Sequence, residues 1–232
     1  MLTKTPNSVK VAITGGIGSG KSFVCSLLKK RGIAVYDCDA AAKRLMRTSP
    51  ELQQQLIELI GSEAYLTSGA SKPSMPSMPS KTSKPSMPSK TSKPSNASMP
   101  SMPSMTLNKA EVARFLLASP ENAQALDAIV HPAVARDFVA SGQQWMECAI
   151  LYESGFDRLV DKVIVVTAPL EVRIQRVMQR DSISREKTLE WMGRQWPQEE
   201  VLRHADYEIV NDGNADLEQQ IDDFLSRNNV MS

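Results

Sequence analysis

The chain has 232 residues, of which 27 are Lys or Arg, 26 are Asp or Glu and three are Cys. Twelve serine-headed triplets, residues 71–106, hold five of the lysines and no acid, so the remainder carries a net charge of about −4. This balance excludes a general affinity for nucleic acid. An odd number of cysteines without CxxC spacing argues against a disulfide framework and indicates reduced thiols in a cytoplasmic protein.

The first predicted element is a strand over residues 10–14 (KVAIT), a β-branched run that ends at two glycines. It is too short to cross a bilayer, so we expect no membrane attachment. A helix is predicted over 21–31, where Gly32 ends it. A second strand over 33–36 (IAVY) then leads into Asp37-Cys38-Asp39.

The remaining predicted elements alternate between helices and strands. Strands are predicted over 145–152, 162–167 and 207–210, and helices over 40–46, 50–60, 108–117, 120–139, 170–180 and 185–194. Each strand is nearly continuous in apolar residues, which is typical of a strand buried on both faces. The pattern therefore predicts a parallel sheet of five strands covered by helices on both sides.

The serine triplets interrupt this pattern between two predicted helices. They have a strict period of three, as in polyproline II, and no apolar face of helical or strand period. Such a segment cannot offset its ordering entropy by burial, so a disordered insertion in a surface loop is predicted. Two interpretations stay open: a passive expansion, or a docking tract for a proline-recognising partner, since Pro73 and Pro76 match the bare PxxP spacing.

The strongest motif is GGIGSGKS, residues 15–22, which fits GxxxxGK[ST] between a predicted strand and a predicted helix. Its glycines let backbone N–H groups turn toward phosphate oxygens, and the helix N-terminus adds positive potential. Lys21 is predicted to span the β and γ phosphates of ATP, and Ser22 to hold Mg²⁺. An ordinary glycine-rich turn is the alternative, which the Lys-Ser pair disfavours. The residues predicted to bind the nucleotide here are Gly16, Ile17, Gly18, Ser19, Gly20, Lys21, Ser22 and Phe23.

Two carboxylates, Asp37 and Asp39, follow the second predicted strand, at the edge where open α/β sheets gather their ligands. On an extended segment, one of them is predicted to address an acceptor hydroxyl while the other supports the turn. The alternative is that Asp39 serves as the N-cap of the next helix.

A third cluster is rich in arginine. Arg173, Arg176 and Arg180 recur at helical spacing, and Arg185 follows after a short turn. Beside a P-loop, this arrangement predicts a mobile lid that brings positive charge over the transferring phosphoryl group. A solvated surface face is the alternative.

The pair His131-Pro132 is interpreted as closing a helical stretch. It is either a positioned substrate-binding element or a structural histidine.

Six segments, in their order and spacing, closely resemble the dephospho-coenzyme A kinase family. They are VAITGGIGSGKS, VYDCDAAAKR, DAIVHPAV, AILYESG, VIVVTAPLEVRIQRVMQRD and IVNDG. The resemblance covers nearly the whole chain outside 71–106. It implies transfer of the γ-phosphoryl group of ATP to the ribose 3′-hydroxyl of dephospho-coenzyme A, with no nucleic acid or membrane partner.

The implied fold class is α/β, with a P-loop NTPase-type parallel five-stranded sheet, a helical acceptor-binding region, a lid and the insertion. The expected boundaries are 9–48, 145–169 and 205–228 for the core, 49–70 and 107–144 for the acceptor-binding region, and 170–204 for the lid.

The resemblance also implies roles for single residues. Asp39 is the expected base or positioning group, acting with Lys21 and Arg180, while Arg176 and Asn211 lie at the nucleotide. The residues implied at the acceptor are Asp39, Lys43, His131 and Pro132.

The chain departs from the family pattern at three places. Phe23 stands where threonine is common, and Ala149-Ile150-Leu151-Tyr152-Glu153 replaces a PLL-x-E segment. Lys43 stands where arginine is common, and a lysine cannot grip a phosphate or carboxylate bidentately.

Two other functions stay open at this point. Another small-molecule or nucleoside-phosphate kinase would share the P-loop and the lid. A GTP-dependent switch would also share the P-loop, but the chain has no NKxD segment to bind guanine.

Overall fold

The computed structural model describes residues 9–67 and 105–228. Most of the serine-triplet tract, with its predicted disorder and its docking alternative, lies outside the described residues. The strands within the described part are β1 (Val11–Thr14), β2 (Val35–Asp37), β3 (Tyr65–Thr67), β4 (Met105–Leu107), β5 (Trp145–Glu147), β6 (Lys162–Thr167) and β7 (Tyr207–Val210).

The helices alternate with these strands. They are α1 (Lys21–Lys30), α2 (Cys38–Thr48), α3 (Pro50–Ile60), α4 (Lys109–Ala118), α5 (Pro120–Ser141), α6 (Leu170–Asp181), α7 (Arg185–Met192), α8 (Gln198–His204) and α9 (Leu217–Arg227). Across 9–67 and 105–228, none of them combines the length and the apolarity that crossing a bilayer requires.

Five strands form one parallel sheet in the order β2-β5-β1-β6-β7, which confirms the predicted five-stranded parallel sheet. Side chains alternate between its two faces, as strand geometry requires. Val11 and Ile13 of β1 pack with α1 and α9, whereas Ala12 packs with α2, α3 and α5. Both faces are therefore covered, and the sheet presents only its edges and strand ends.

The strand register brings the functional segments to one edge. Glu147, the last residue of β5, pairs with Ile13 of β1 on one side and with Asp37 of β2 on the other. The turn that follows β1 and the helix that follows β2 consequently begin side by side at the carboxyl edge of the sheet, where open α/β sheets bind ligands.

The prediction of a strand over 145–152 was too long. β5 stops at Glu147, and the chain then turns, with Ser154 N–H donating to the Ile150 carbonyl and Gly155 at a φ of +71°. Residues 148–154 contain no Gly, Pro or Asn to mark the turn, so this apolar run cannot be distinguished from a strand in the sequence.

The prediction that His131-Pro132 closes a helix was also wrong. Pro132 lies inside α5, a helix of 22 residues. A proline removes one backbone hydrogen bond but does not always end a helix, and here the burial of Val130, Val134 and Phe138 continues through it.

The ends of the serine tract meet in an antiparallel hairpin. β3 pairs with β4 so that Tyr65 opposes Leu107 and Thr67 opposes Met105. Met105 and Thr106, which were predicted to belong to the disordered tract, are therefore part of a strand. The chain leaves and re-enters the fold at two neighbouring residues.

Candidate active site

The glycine-rich turn between β1 and α1 has the conformation that its sequence predicts. Gly18 and Gly20 have φ values of +82° and +93°, which favour glycine, and Gly20 is the N-cap of α1. A Cβ on Gly20 would lie 2.1 Å from Nδ2 of Asn211. The turn is thus closed on one side by the end of β7, and only glycine fits.

Lys21 is buried at the start of α1, and its Nζ donates a hydrogen bond of 2.6 Å to the Gly15 carbonyl. Burial lowers the pKa of Lys21, Glu147 opposes that change, and Arg173 adds to it. A cation with so little water around it gains more than an exposed lysine does from an anionic ligand. This environment suits a phosphate-binding lysine.

Two of the predicted nucleotide-binding residues contact the turn from outside. The side chain of Asn211 donates from Nδ2 to the Ser19 carbonyl at 2.8 Å. Arg176 donates from Nη1 to the Asn211 carbonyl at 3.1 Å and to the Ser19 carbonyl at 3.4 Å. The structure therefore brings Arg176 and Asn211 together at the P-loop.

The arginine cluster divides into three environments. Arg173 is 8% exposed, and its Nε donates to the Ile17 carbonyl at 2.9 Å, so it supports the turn rather than a solvated face. Arg185 is exposed and pairs with Glu171. Arg180 pairs with Asp181 at 2.7 Å and keeps most of its side chain exposed. Helical spacing alone could not separate these three roles.

A cavity of about 400 Å³ lies between the turn, α2 and α6, and we call it the P-loop cavity. Its polar lining combines Lys21, Ser22, Arg176 and Arg180 with the carboxylates of Asp39 and Glu147. The full lining is Ile17, Gly18, Gly20, Lys21, Ser22, Asp39, Glu147, Ala149, Arg176, Val177 and Arg180.

A second cavity of about 330 Å³ adjoins it and is mostly apolar; we call it the inner cavity. Its walls come from α2, α5 and the segment after β5. The lining is Asp37, Cys38, Asp39, Ala42, Met46, Leu126, Asp127, Val130, His131, Val134, Glu147, Cys148, Ala149, Ile150, Ser154 and Phe156. Asp39, Glu147 and Ala149 line both cavities, so these three residues mark the junction.

Asp39 lies in the first turn of α2, and its neighbour Asp37 caps that helix by accepting a hydrogen bond from Ala40 N–H at 2.8 Å. The interpretations of an extended Asp37–Asp39 segment and of Asp39 as the N-cap were therefore wrong, because the helix begins two residues earlier than predicted. Asp39 is paired with Lys43 one helical turn away. Its side chain is 78% exposed and lines the junction of the cavities.

The other predicted acceptor residues are placed differently. His131 lines the inner cavity, where its ring meets Phe156 edge-on at 5.7 Å between centroids and its Nε2 lies 3.5 Å from Oδ1 of Asp127. Lys43 and Pro132 are not among the residues lining either cavity. Lys43 contacts the site through its ion pair with Asp39.

Glu147 is a site residue that the sequence analysis missed. It is partly buried, and burial raises the pKa of its carboxyl, with Lys21 acting against this and Asp37 adding to it. Within the run WMECAILY it was taken as part of a strand. The available signal was an acidic residue in an otherwise apolar strand, at the end that faces the P-loop.

Phe23 lines a third cavity of about 420 Å³, whose other lining residues come from α1, the segment after β7 and the start of α9. Its ring is 55% exposed and shares the cavity with Asn211, Gly213 and Ala215. A flat aromatic side chain next to an amide can bind a planar heterocycle by stacking and hydrogen bonding.

The oxygen atoms around the P-loop cavity fit Mg²⁺. The exposed Ser22 hydroxyl, in the first turn of α1, shares the cavity with the carboxylates of Asp39 and Glu147. Among the described residues there is no group of three or more His, Cys, Asp or Glu side chains that could hold a metal by themselves. A Mg²⁺–nucleotide site needs only one or two protein oxygens, because water and the phosphates supply the other ligands.

The segment between α7 and α8 reaches across the site. Gln195 contacts Ile17 in the turn and Ala149 at the cavity junction, and Trp196 N–H donates to Oε1 of Glu153 at 3.0 Å. The Trp196 ring stacks on Tyr152 with centroids 5.5 Å apart and planes 12° apart. Sequence patterns gave no sign of this contact.

The site contains a glycine-rich turn with a buried lysine, set between β1 of a five-stranded parallel sheet and α1. The turn faces a carboxylate at the next strand end. This combination defines a kinase of the P-loop type. The profile of the dephospho-CoA kinase family matches residues 9–72 and 102–229. The chain belongs to the dephospho-CoA kinase family.

Individual relatives agree with this assignment. A dephospho-CoA kinase of Bacteroides fragilis is 33% identical over 94% of this chain and 92% of its own length. One from Chlorobaculum tepidum is 30% identical over 91% of each chain. Among solved structures, a Thermus thermophilus protein is similar with a TM-score of 0.68 at 26% identity, covering 96% of this chain and 99% of its own.

Proposed function

We propose that the protein transfers the γ-phosphoryl group of ATP to the ribose 3′-hydroxyl of dephospho-coenzyme A, giving coenzyme A and ADP. The observation that carries this proposal is the junction of the two cavities. Asp39 faces both the P-loop cavity and the inner cavity, so a donor phosphate and an acceptor hydroxyl can meet at its carboxylate.

The P-loop cavity is the proposed phosphate site. Lys21 and the backbone N–H groups of residues 16–22 bind the β and γ phosphates, and the N-terminus of α1 adds positive potential. Arg180 supplies positive charge from α6 to the cavity that Asp39 also lines. The Ser22 hydroxyl is the proposed protein ligand that would hold Mg²⁺, and the metal would neutralise part of the phosphate charge.

The adenine base is proposed to lie in the cavity next to Phe23. This places it beside Asn211 and Gly213, one helix away from the phosphates. Asn211 then has two tasks, since its amide also donates to the Ser19 carbonyl of the turn. Arg176 acts by holding both of these segments in place.

The inner cavity is the proposed acceptor site, and its α5 wall belongs to the proposed helical acceptor-binding region of residues 49–70 and 107–144. Its walls are largely apolar, and His131 and Asp127 place polar atoms at one side. This composition suits a nucleotide base and a pantetheine-like chain better than it suits a free sugar. Lys43 and Pro132 contribute at most at its rim.

The proposed chemistry is mainly positioning. Asp39 accepts or orients the proton of the attacking hydroxyl, while Lys21 and Arg180 stabilise charge on the transferring group. The segment 170–204 forms the proposed lid that excludes water during transfer. A cytoplasmic location agrees with three buried, unpaired cysteines in the described part of the chain.

The decisive experiment measures ADP release with ATP and Mg²⁺, with and without dephospho-coenzyme A, in wild type and Asp39→Asn. The turnover is expected to depend on the acceptor and to fall about 10²- to 10⁴-fold in the variant. Asp223→Asn is the matched control, because this carboxylate lies in α9, accepts a hydrogen bond from Gln219 and lines neither cavity. It loses the same charge and is expected to keep its rate within about tenfold.

Turnover that ignores the acceptor would reject the proposed substrate and favour a different small-molecule kinase. Equal losses in Asp223→Asn and Asp39→Asn would instead reject the assignment of Asp39, since the loss would then not depend on where the carboxylate lies.

A further inference from the structure

We propose that Cys38 and Cys148 form a site of reversible oxidation, at which a peroxide converts the two thiols into one disulfide in the wall of the inner cavity. Both residues line this cavity, and both are buried. The chemistry of the thiols stands apart from the proposed function, whereas its effect on the acceptor rests on that function.

The strand register places the two cysteines side by side. β2 and β5 are parallel neighbours in which Tyr36 opposes Met146, and Cys38 and Cys148 follow two residues later on each chain. Residues two apart along a strand share a face of the sheet. All four residues belong to the same buried cluster, on the face that α2, α3 and α5 cover. The two thiols therefore lie on the same side of the sheet.

The spacing at this point suits a disulfide. Neighbouring strands lie about 4.8 Å apart, and disulfides join Cα atoms that are about 4.4–6.8 Å apart. Cys38 is the first residue of α2, and Cys148 directly follows the last residue of β5, so each is held by a regular element. Closing the bond therefore requires rotation of side chains rather than a shift of the sheet.

The two thiols differ in acidity, and this difference assigns a role to each. A hydrogen bond from the Cys38 thiol to the Cys148 sulfur lowers the pKa of Cys148 and raises that of Cys38. Burial opposes the change at Cys148, but Ile150 N–H and the Ser154 hydroxyl, 3.9 Å from the sulfur, add to it. Since the thiolate is the nucleophile, Cys148 attacks the oxidant and Cys38 resolves the product.

The reaction balances with one molecule of hydrogen peroxide. The Cys148 thiolate attacks one oxygen, the O–O bond breaks, and the sulfur becomes a sulfenic acid while the departing hydroxide takes up the proton that Cys148 had lost. The Cys38 sulfur then attacks the Cys148 sulfur, the S–O bond breaks, and hydroxide leaves as water with the proton of Cys38. Two thiols are oxidised, and the peroxide is reduced to two molecules of water.

Cys25, the remaining cysteine, has the properties of a thiol that only fills space. It lies in α1, in the core on the opposite face of the sheet, and lines neither cavity. Burial raises its pKa to about 12, so it is a neutral thiol near neutral pH and reacts poorly with peroxide. It serves as an internal reference for the reactive pair.

The disulfide acts on the acceptor side of the site. Cys38 directly precedes Asp39, and Cys148 directly precedes Ala149, and these two neighbours lie at the junction of the cavities. Neither cysteine lines the P-loop cavity. Oxidation should therefore displace Asp39 from the acceptor while phosphate binding is kept. Exchange with the thiols of a reducing compartment then restores the reduced form.

The test treats the reduced full chain with hydrogen peroxide, blocks the remaining thiols and digests the protein with trypsin in the absence of a reductant. Cleavage after Lys and Arg puts the three cysteines in separate peptides, 22–29, 32–43 and 137–158. We expect mass spectrometry to find 32–43 joined to 137–158, two hydrogen atoms lighter than their sum, until dithiothreitol separates them. The peptide 22–29 should be recovered alone.

The variants and the activity assay test the assigned roles. Cys38→Ser and Cys148→Ser should give no joined peptide, whereas Cys25→Ser, the matched control, should join the two peptides as wild type does. Acceptor-dependent ADP release by wild type is expected to fall about tenfold or more on oxidation, because Asp39 is misplaced, and to return with dithiothreitol. The affinity for a non-hydrolysable ATP analogue should not change. Cys148→Ser should have the same rate before and after peroxide.

Peptides 32–43 and 137–158 that stay apart after peroxide, or a link from either of them to 22–29, would overturn the proposal. This result is read in wild type, so it does not depend on the folding of a variant. A joined pair with unchanged turnover would overturn the effect on the acceptor. A protein without acceptor-dependent turnover before oxidation would reject the proposed function, and the peptide map would still decide whether the disulfide forms.

Discussion

The side-chain oxygen of Gln195 accepts a hydrogen bond of 2.8 Å from the backbone N–H of Ile17, in the glycine-rich turn. The nitrogen of the same side chain donates to the Ala149 carbonyl at 3.0 Å, at the junction of the two cavities. One residue of the proposed lid therefore joins the donor side of the site to the acceptor side.

We expect Gln195→Ala to loosen the glycine-rich turn. An intramolecular hydrogen bond contributes about 1 kcal/mol, so losing the bond to Ile17 should speed hydrogen exchange at that amide about fivefold. Exchange mass spectrometry on the peptide that contains residues 15–22 measures this. Gln54→Ala, which removes an exposed glutamine from α3, is the control and should leave that peptide unchanged. Identical exchange in Gln195→Ala and wild type would show that the contact does not hold the turn.

Replacing Gly20 by alanine should lower stability and nucleotide affinity far more than replacing Gly32 by alanine. Both glycines have positive φ, of +93° and +81°, so each alanine costs about 1 kcal/mol in backbone strain. Only the Gly20 methyl also meets another group, Nδ2 of Asn211 at 2.1 Å, whereas nothing lies within 4 Å of a Gly32 methyl.

Gly20→Ala is accordingly expected to lose about 2 kcal/mol or more in unfolding free energy and at least about tenfold in nucleotide affinity. Gly32→Ala should lose about 1 kcal/mol and keep its affinity. Urea denaturation and nucleotide titration provide the two measurements. Equal effects of the two variants would mean that the contact with Asn211 is not maintained in solution.

The raised pKa of Glu147 predicts a pH-dependent stability difference in the nucleotide-free protein. A carboxyl whose pKa is higher in the folded state stabilises the fold while protonated, and this contribution disappears as pH rises through the folded pKa. Glu147→Gln should therefore melt at a higher temperature than wild type near neutral pH. The difference in melting temperature should disappear as pH falls toward 4.5, the ordinary pKa of a glutamate side chain.

Asp206, the residue before β7, provides the opposite case. Burial works to raise its pKa, but hydrogen bonds from Lys162 and from Val163 N–H outweigh this and lower it. Asp206→Asn should thus melt below wild type at neutral pH, and the difference should shrink as pH falls through the lowered pKa. If both variants shifted the melting temperature in the same direction at neutral pH, one of the two pKa directions would be wrong.

The antiparallel pairing of Thr67 with Met105 predicts that residues 68–104 can be replaced by a two-residue Asn-Gly turn. The deletion has to stop at residue 104, because Met105 and Thr106 belong to β4. We expect the melting temperature to be kept or raised, since closing a shorter connection costs less entropy, and the acceptor KM to be unchanged. A large rise in acceptor KM would implicate residues 68–104 in substrate binding.

Several elements of the fold were predictable because their signals are local. The buried run of β1, its two following glycines and the Lys-Ser pair fixed the phosphate-binding turn without any tertiary information. β6 and β7 were equally clear, since each is a short apolar run between helical patterns. The order of the strands in the sheet was not predictable in this way, because it depends on which faces pack against α1, α5 and α9.

The features that the sequence did not predict depend on contacts between residues that are far apart in the sequence. Arg173 supports the turn through the Ile17 carbonyl, 156 residues away in the sequence, so its spacing in α6 could not reveal that role. Glu147 and Gln195 acquire their positions only when β5 and the α7–α8 segment meet the turn. The strand-end position of Asp39 predicted a place at the edge of the sheet, where it lines the P-loop cavity, but its helical conformation follows from the cap that Asp37 provides.

The stacking of Trp196 on Tyr152 gives the protein a built-in optical reporter. Of its three tryptophans, Trp145 is buried in the core and Trp191 lies in α7. In a Trp191→Phe protein, Trp145 would supply a constant emission, while the emission of Trp196 would change whenever its ring separates from the tyrosine. Stopped-flow fluorescence on that single variant could then time lid movement in each catalytic cycle without any attached dye.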